Sequence, residues 1–349
     1  MGELATGGDD LQRYVRQMRY GPFGSEGQRR LARSRVLICG CGALGNMLAQ
    51  LLVRAGVGYV RIVDRDLVDL TNIHRQLLFD EQDAAASLPK AIAAAEHLRR
   101  INSQVRIEPV VADINKSTIL SFCEGVDCIL DGTDNFETRF LINEAAIRLG
   151  IPWVYGGCLG AEGQTMTILP GQTGCFRCLL PSCPPAGSLP TCETAGILPP
   201  VVGVIASLEA IEAMKILSGH LEAVSPYLTV VELWEGRIRQ IDLRHLRQQA
   251  DCPTCQRGQF PWLAGQEGSQ AAVLCGRNTV QVLHPGVRIC LEELAERLKP
   301  LGQVQQTPYF LRLQAEGHQL TVFPDGRTLV QGTSDISTAK TLCAKYLGL

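Results

Sequence analysis

Two pairs of cysteines have the spacing of a metal site. Cys175 and Cys178 form one C-x-x-C pair, and Cys252 and Cys255 form another much later in the chain. Each pair can supply two thiolates, and four thiolates make the closed tetrahedral site typical of structural zinc. A redox C-x-x-C is the alternative, but two such pairs would then be a coincidence. The spacing predicts a Zn²⁺ ion that joins the end of a domain to its middle.

A glycine-rich segment near the start of the chain has the spacing of a phosphate-binding turn. Gly40, Gly42 and Gly45 form G-x-G-x-x-G between an apolar segment and a helical one, and Asp64 is an acid at the expected distance beyond. Such glycines permit a tight turn, close approach of phosphate and close helix packing, and the helix N-terminus offers unpaired N–H groups. The motif predicts a nucleotide site. A plain packing turn and a nicotinamide oxidoreductase would both present the same fingerprint.

Further polar residues follow the next predicted elements. Asn72, Arg75 and Gln76 fall in a loop at the carboxyl edge of the predicted sheet, where open α/β folds bind ligands. Lys90 follows Pro89 at the start of a predicted helix, where the helix dipole disfavours a cation. A phosphate in front of that helix would explain the lysine, and an ordinary surface lysine is the alternative.

Two carboxylates and an amide lie at the end of another predicted strand. Asp131, Asp134 and Asn135 lie at its end, directly before a helical segment. Such residues are either helix caps or ligands of a metal or substrate, and Asp134 suits both roles because acids favour the first turn of a helix.

The elements that must position these groups alternate between strand and helix. Apolar or alternating segments predict strands over 35–39, 105–111, 126–130, 151–156 and 164–169, with a further strand closing on Asp64. Helices are predicted between them, including 91–101 and 114–124. The alternation predicts a doubly wound, mostly parallel Rossmann-like sheet. After Cys178 the pattern changes to a loop rich in Pro, Ser and Gly, a helix over 201–217 and antiparallel strands over 228–234 and 237–242.

Four segments follow from this pattern. Residues 1–34 form an N-terminal helical arm, 35–258 a nucleotide-binding domain with the zinc site, 259–271 a linker, and 272–349 a small α+β domain. In the arm, Arg13, Arg16 and Arg19 share one helical face, which without other information is most simply a solvated surface. In the last segment, Asp325-Gly326 between two alternating stretches predicts a hairpin.

Composition excludes several classes of protein. The 349 residues carry a net charge of −2, so the basic excess of a nucleic-acid-binding protein is missing. The 14 cysteines, with no apolar segment at the N-terminus, lead us to expect a cytoplasmic protein whose thiols bind metal or do chemistry. The most apolar segment, 197–217, is interrupted by prolines and by Glu209 and Glu212, so we expect a buried helix and no membrane partner.

Taken together, the motifs from about residue 11 to residue 256 closely resemble the ThiF/MoeB/HesA family, the bacterial relatives of ubiquitin-activating enzymes. The segments that carry the resemblance are RYVRQ, GCGALG, Asp64 with Asp66, TNIHRQ, Pro89-Lys90, GTDN, CFRC, TCETAG and CPTC.

The resemblance implies ATP-dependent adenylation of the C-terminal glycine of a ubiquitin-like sulfur-carrier protein that ends in Gly-Gly. A carboxylate is a poor electrophile, so it attacks the α-phosphate, pyrophosphate leaves, and sulfur can displace the resulting acyl-adenylate. Such a reaction needs positive charge on the phosphates, with Mg²⁺ present, and positioning of two anions. The product would serve thiamine thiazole or molybdopterin biosynthesis. The C-terminal extension resembles one found on some thiazole-pathway members, which favours a ThiS-like carrier over a MoaD-like one.

The resemblance also implies the role of individual residues. In the family pattern Asp64 holds the ribose, Asn72, Arg75 and Lys90 contact phosphates, and Asp134 binds Mg²⁺ with Asn135 beside it. The full set implied for the nucleotide is Gly40, Gly42, Ala43, Gly45, Asp64, Asp66, Thr71, Asn72, Arg75, Gln76, Lys90, Asp134 and Asn135.

Two further residues complete the catalytic set of Arg16, Arg75, Lys90, Asp134 and Cys192. Arg16 matches an arginine that reaches across a homodimer into the partner's site, which replaces the solvated-surface interpretation. Cys192 matches an exposed cysteine on a mobile crossover loop. It would form a thioester or exchange persulfide sulfur supplied by a donor protein, or it is a small residue near the substrate with no required chemistry.

The chain departs from the family pattern at a few positions. Ala43 and Leu88 replace glycines, and His74 replaces a glutamine, but no charged group is lost. We therefore expect ATP binding to survive. The competing interpretations are a tRNA threonylcarbamoyladenosine dehydratase, which the four cysteines, TCETAG and the absence of basic excess disfavour, and a non-catalytic scaffold that binds a ubiquitin-like partner.

Overall fold

The computed structural model describes residues 11–185, 188–268, 272–274, 278–284 and 287–348. The chain divides into two compact units, with the boundary between Gln266 and Glu267. This boundary falls within the segment that the sequence suggests is a linker. The predicted N-terminal arm begins outside the described residues, which start at Leu11.

An eight-stranded sheet forms the centre of the first unit. Its strands are β1 (Arg35–Cys39), β2 (Tyr59–Asp64), β3 (Arg106–Val111), β4 (Cys128–Asp131), β5 (Trp153–Leu159), β6 (Glu162–Ile168), β7 (Tyr227–Glu232) and β8 (Arg237–Asp242). They lie in the order β3-β2-β1-β4-β5-β6-β7-β8. Pairing is parallel from β3 to β5 and antiparallel from β5 to β8. The predicted mostly parallel sheet with antiparallel strands is confirmed.

Helices cover both faces of this sheet. They are α1 (Val15–Met18), α2 (Gly24–Leu31), α3 (Ala43–Ala55), α4 (Glu81–Ala85), α5 (Lys90–Ile101), α6 (Ile119–Phe122), α7 (Phe136–Leu149), α8 (Phe176–Leu179), α9 (Cys192–Ala195), α10 (Pro199–Ser218) and α11 (Leu246–Gln249). Alternate β1 residues enter two separate cores: Val36 and Ile38 pack with α3, α5 and α10, whereas Leu37 and Cys39 pack with α6, α7 and α8. Because both faces are buried, β1 is apolar at consecutive positions instead of alternating.

One predicted helix is much shorter than expected. Only α6 is helical within the predicted 114–124 segment. Asn115 accepts a hydrogen bond from the Ser117 N–H through its side chain, and its own N–H donates to Thr118 Oγ1 at 3.0 Å. These local side-chain bonds compete with the helical backbone pattern and delay the start of the helix.

The start of the predicted linker is packed into the first unit. Trp262 is buried and stacks on Phe140 of α7, with ring centroids 5.5 Å apart. The Leu263 N–H donates to the fully buried Glu144 carboxylate at 2.9 Å. These contacts tie the residues after the second cysteine pair to α7.

The second unit is a six-stranded antiparallel sheet with two helices. Its strands are β9 (Ala272–Leu274), β10 (Thr279–Val282), β11 (Gln303–Gln306), β12 (Leu311–Ala315), β13 (His318–Val322) and β14 (Thr328–Gln331), and its helices are α12 (Leu291–Leu298) and α13 (Ile336–Leu347). The strand order is β11-β12-β13-β14-β10-β9. β13 and β14 form the hairpin predicted from Asp325-Gly326, and β11 is a short edge strand that the sequence interpretation missed.

The longest helix of the described chain is α10, with 20 residues. It carries Glu209, Glu212 and Lys215, and no helix among the described residues combines the length and apolar character that crossing a bilayer requires.

Candidate functional site

The glycine turn lies at the switch point of the sheet, where β1 is flanked by β2 on one side and β4 on the other. Gly40 has a φ of +88°, and a Cβ there would lie 2.7 Å from the Gly132 carbonyl oxygen. A Cβ on Gly45 would lie 1.9 Å from the Gly40 oxygen. Gly42 differs, because its Cβ would meet only Gly132 O, at an ordinary 3.6 Å. The outer glycines are therefore needed for packing, and the middle one leaves space beside the loop.

The first turn of α3 presents its backbone donors at this point. No side chain caps the helix, whose N-cap is Gly42. The loops around the carboxyl ends of β1, β2 and β4, which we call the carboxyl edge, thus include an uncapped helix N-terminus suited to an anion.

Asp64 shapes the turn from the neighbouring strand. Its carboxylate accepts hydrogen bonds from the Cys41 and Asp66 N–H groups, each at 2.6 Å. Burial raises the pKa of Asp64, and the Lys90 ammonium opposes that shift. Asp64 therefore has a structural role in the loop in addition to the predicted contact with ribose.

Lys90 begins α5 and already has a counter-charge. The residue is only 4% exposed, and Nζ lies 3.3 Å from Asp66 Oδ2. The Lys90 N–H also donates to the Asp66 carbonyl at 2.9 Å. The cation at a helix N-terminus is therefore compensated by a protein carboxylate, which the sequence did not predict, and the alternative of an ordinary surface lysine is wrong because Lys90 is buried.

Buried amides with unsatisfied atoms follow β2. Asn72 and Gln76 are each 2% exposed, and Asn72 Oδ1 and Gln76 Oε1 have no hydrogen-bond partner among the described residues. Arg75 is half-buried, and its Nη1 donates to the Thr71 carbonyl at 3.1 Å. The Thr71 N–H donates to Asp69. Neither amide oxygen is therefore used to hold this loop in place.

Two carboxylates at the end of β4, those of Asp131 and Asp134, lie in different environments. Asp131 is fully buried, accepts from the Thr133 N–H at 2.9 Å and lies 3.0 Å from Arg139 Nε. Asp134 is exposed. The helix cap is Asn135, whose side chain accepts from the N–H groups of the following turn. The cap role considered for Asp134 is therefore wrong, because the helix begins one residue later, and the Asp134 carboxylate is left available to a ligand.

Cys192 lies in α9 beside the end of β5. Its Sγ donates to the Cys158 carbonyl at 3.5 Å, and the side chain is half-buried where an exposed one was expected. Burial is the main cause that raises the pKa of this thiol. Asp134 raises the same pKa, and Arg75 and Arg139 lower it. Three predicted site residues, Cys192, Asp134 and Arg75, are thereby within electrostatic reach of one another.

Arg16 is the predicted site residue that stays apart. It is exposed on α1 and, in the described part of the chain, makes no hydrogen bond or ion pair with the groups at the carboxyl edge.

The four predicted cysteine ligands converge. The Sγ atoms lie 3.8 Å apart for Cys175 and Cys178, 3.6 Å for Cys175 and Cys252, and 3.4 Å for Cys178 and Cys255. All four lie within 4.8 Å of one another. Ligands at the usual Zn–S bond length of about 2.3 Å in a tetrahedron are roughly 3.8 Å apart, so this cysteine cluster fits a zinc ion.

Sequence reasoning missed two buried charged residues near the carboxyl edge. Arg139 pairs with Asp131 and also donates to the Thr133 and Gly156 carbonyls at 2.7 and 3.0 Å. Glu209, noted only as an interruption of an apolar segment, is fully buried with both carboxylate oxygens unpartnered among the described residues. Burial raises the pKa of Glu209 well above its usual range. Arg139 stands in a helix that also contains Glu137, Glu144 and Arg148, so residue type alone gave no signal for it.

Comparison with known proteins gives consistent results. The model of the ThiF family matches residues 14–254. The chain is 41% identical over 338 residues to the sulfur carrier protein ThiS adenylyltransferase of Bacillus subtilis, covering 96% of this chain and 99% of the relative. It is 37% identical over 252 residues to the sulfur carrier protein adenylyltransferase of Thermus thermophilus, covering 71% and 91%.

Among solved structures, the fold is similar to that of E. coli MccB, with a TM-score of 0.60, 23% identity, and coverage of 72% of this chain and 73% of that one. At this level of identity the likeness concerns the fold alone.

Proposed function

This chain belongs to the ThiF family, and we propose that it uses ATP to adenylate the C-terminal glycine of a ubiquitin-like sulfur-carrier protein. The activity is adenylyl transfer to a sulfur carrier, as in the names of the B. subtilis and T. thermophilus relatives. The observation that carries this proposal is the match to the B. subtilis enzyme over nearly the whole of both chains.

In the proposed reaction, a carboxylate oxygen of the carrier's last glycine attacks the α-phosphorus of ATP. The bond from that phosphorus to the bridging oxygen breaks, and pyrophosphate leaves with the electron pair. Catalysis consists of holding two anions together and balancing the charge that moves to the leaving group.

The residues of the carboxyl edge suit these tasks. Lys90 and Arg75 would stabilise phosphate oxygens, and Asn72 would contribute its amide. Because phosphate oxygens only accept hydrogen bonds, Asn72 would turn its amide N–H donors toward them. Asp64 would hold the ribose, and the space beside Gly42 would admit the phosphates.

A divalent cation would bind through Asp134, with Asn135 and its neighbours shaping the loop. When bound, Mg²⁺ neutralises phosphate charge and orients the leaving group. The donor set fits, because Asp134 is an exposed carboxylate at the end of β4 and is not used as a helix cap.

Arg16 would complete the site of a second protomer. Its exposure, and the exposure of the neighbouring Val15 (43%) and Tyr20 (67%), support an interface at this arm. We therefore propose a homodimer in which each active site receives Arg16 from its partner.

Cys192 would handle sulfur after adenylation, in exchange with a persulfide donor protein. Its side chain lies within the electrostatic influence of Asp134 and Arg75, which supports a position next to the adenylate. Cys192→Ala should leave pyrophosphate exchange intact and impair thiocarboxylate formation. A variant without the first half-reaction would refute this division of work.

A ThiS-like carrier is the substrate that the comparisons favour. The alignment with the B. subtilis ThiS adenylyltransferase is long enough to include the second unit, whereas the T. thermophilus alignment covers 71% of the chain. A tRNA-modifying member of the family is not favoured by either relative. We propose that the reaction takes place in the cytoplasm.

ATP–pyrophosphate exchange with Mg²⁺ tests the proposal. Carriers ending in Gly-Gly, of ThiS and MoaD type, are compared with the same carriers lacking the two glycines. Exchange that requires the intact tail would support carrier adenylation, and the preferred carrier would identify the pathway. ATP binding without exchange on any carrier would overturn it.

A further inference from the structure

One helix connects the carboxyl edge with the cysteine cluster. Asn135 caps α7, directly after Asp134, and Arg139 and Asn143 follow at intervals of four residues. Residues four apart lie next to each other along a helix, so these three side chains form one row about 12 Å long.

The first end of this row is fixed to the loop that carries Asp134. Arg139 donates hydrogen bonds to the Asp131 carboxylate and to the Thr133 carbonyl, and both residues come shortly before Asp134 in the chain. The Asn135 side chain accepts the Glu137 N–H at 2.8 Å. The backbone on both sides of Asp134 is therefore attached to α7.

The other end is fixed to the first cysteine pair. Asn143 is fully buried, its Oδ1 accepts the Phe176 N–H at 2.9 Å, and its Nδ2 donates to Cys175 Sγ at 3.7 Å. Phe176 is the residue after Cys175, and its ring packs edge-on against Phe140 of α7 at 5.4 Å. Both functional atoms of the Asn143 amide are thus used by the C-x-x-C segment.

We propose that Asn143 is a positioning residue that couples the cysteine cluster to the Asp134 loop through α7. The inference rests on the proposed function, in which Asp134 binds Mg²⁺ with ATP. A donor to a metal-bound thiolate orients the ligand and tunes its hold on the metal. A rigid helix then transmits the position of the cluster to the carboxylate at its start.

Coupling between two binding sites is reciprocal. Binding of Mg²⁺ with the unreactive analogue α,β-methylene-ATP should therefore strengthen zinc binding, and we expect the tighter binding to appear as slower loss of zinc to a colorimetric chelator. In the full-length wild-type protein we expect slowing of at least about fivefold.

Asn143→Ala tests whether the amide carries this effect, and Arg148→Ala, an exposed residue of the same helix, is the matched control. We expect Asn143→Ala to lose zinc faster than the wild type. Adding the nucleotide analogue should change the rate of zinc loss from this variant by less than about twofold. The Mg²⁺ concentration for half-maximal pyrophosphate exchange should rise roughly threefold to tenfold in this variant. The exchange rate at saturating Mg²⁺ should stay close to that of the wild type. Arg148→Ala should behave as wild type in every measurement.

The outcomes separate the two proposals. Faster zinc loss with an unchanged Mg²⁺ requirement would make Asn143 a purely structural residue and overturn the inference. An equal rate of zinc loss from the wild-type protein with and without the nucleotide analogue would also overturn the inference. This measurement does not depend on whether Asn143→Ala folds. Absence of exchange by the wild-type protein with any carrier would instead overturn the proposed function.

Discussion

The carboxyl edge and the cysteine cluster differ in how accessible their functional side chains are. At the edge, Asp134 is exposed and Arg75 is half-buried, so both can be reached by a ligand. At the cluster, Cys175 lies against three groups: two other thiols and the Asn143 amide. The rings of Phe176, Phe140 and Trp262 pack on one another in the same core as Cys175. Accessible charged groups serve binding and add little to stability, whereas the buried cluster contributes to stability once a metal is bound. Substitutions in the two regions should therefore separate activity from folding.

The largest effect on activity is expected for Asp134→Ala. Loss of the proposed Mg²⁺ ligand should lower pyrophosphate exchange by at least about 100-fold, because metal stabilisation of phosphate charge is worth several kcal/mol. The melting temperature should stay the same, since Asp134 is exposed and caps no helix. Undiminished exchange would overturn the metal assignment.

The largest effect on stability is expected for Cys178→Ser. Removal of one of four thiolates should release zinc and lower the melting temperature by ~10 °C or more, because structural zinc contributes folding energy directly. Metal analysis and thermal unfolding check this result. Purified wild-type protein without stoichiometric zinc would contradict the four-thiolate site.

Two glycine substitutions in the carboxyl edge distinguish a role in packing from a role in ligand binding. Gly45→Ala places a methyl group 1.9 Å from the Gly40 oxygen, so we expect destabilisation by about 1–3 kcal/mol. Gly42→Ala meets no atom beyond its chain neighbours closer than 3.6 Å, so we expect only the smaller cost of alanine at a helix N-cap, about 1 kcal/mol. The same methyl should weaken ATP binding by roughly tenfold if phosphate occupies that space. Equal ATP affinity in Gly42→Ala and wild type would place the nucleotide elsewhere.

The smallest expected effect concerns the reactivity of Cys192. Because burial and Asp134 raise its pKa, little thiolate is present at neutral pH, and alkylation by iodoacetamide should quicken about tenfold per pH unit below that pKa. Asp134→Asn removes the negative charge, so the pKa should fall and alkylation at a fixed pH should become faster. Mass spectrometry of the peptide containing Cys192 measures the rate. Slower alkylation in Asp134→Asn would contradict the proximity of the two residues.

Much of the fold was predictable because its signals are local. The apolar runs of β1 and β2, the glycine spacing between them and the hairpin at Asp325-Gly326 each depend on neighbours in the chain. The predicted helix over 114–124 was wrong in extent, since side chains of Asn115 and Thr118 bond the backbone there. Edge strand β11 was missed because its exposed glutamines give no alternating pattern.

The site was predictable in composition and less so in arrangement. Residue type and spacing identified the glycine turn and the four cysteines. Asn135 is the helix cap instead of Asp134 because α7 begins at Phe136, and the sequence did not indicate that first residue. Lys90 was explained by phosphate from sequence, but in the fold its Nζ lies 3.3 Å from a carboxylate oxygen of Asp66, 24 residues earlier in the chain.

The sequence alone determined the α/β class with its mostly parallel sheet, the glycine turn and the two C-x-x-C pairs, because these follow from periodicity and short-range spacing. Only the tertiary structure decided which carboxylate is buried and which is available, how far Cys192 is covered, and that Arg139 and Asn143 join the carboxyl edge to the cysteine cluster. The physical reason is that desolvation, ion pairing and hydrogen bonding depend on groups that are far apart in the chain and meet only when the sheet and its helices pack together.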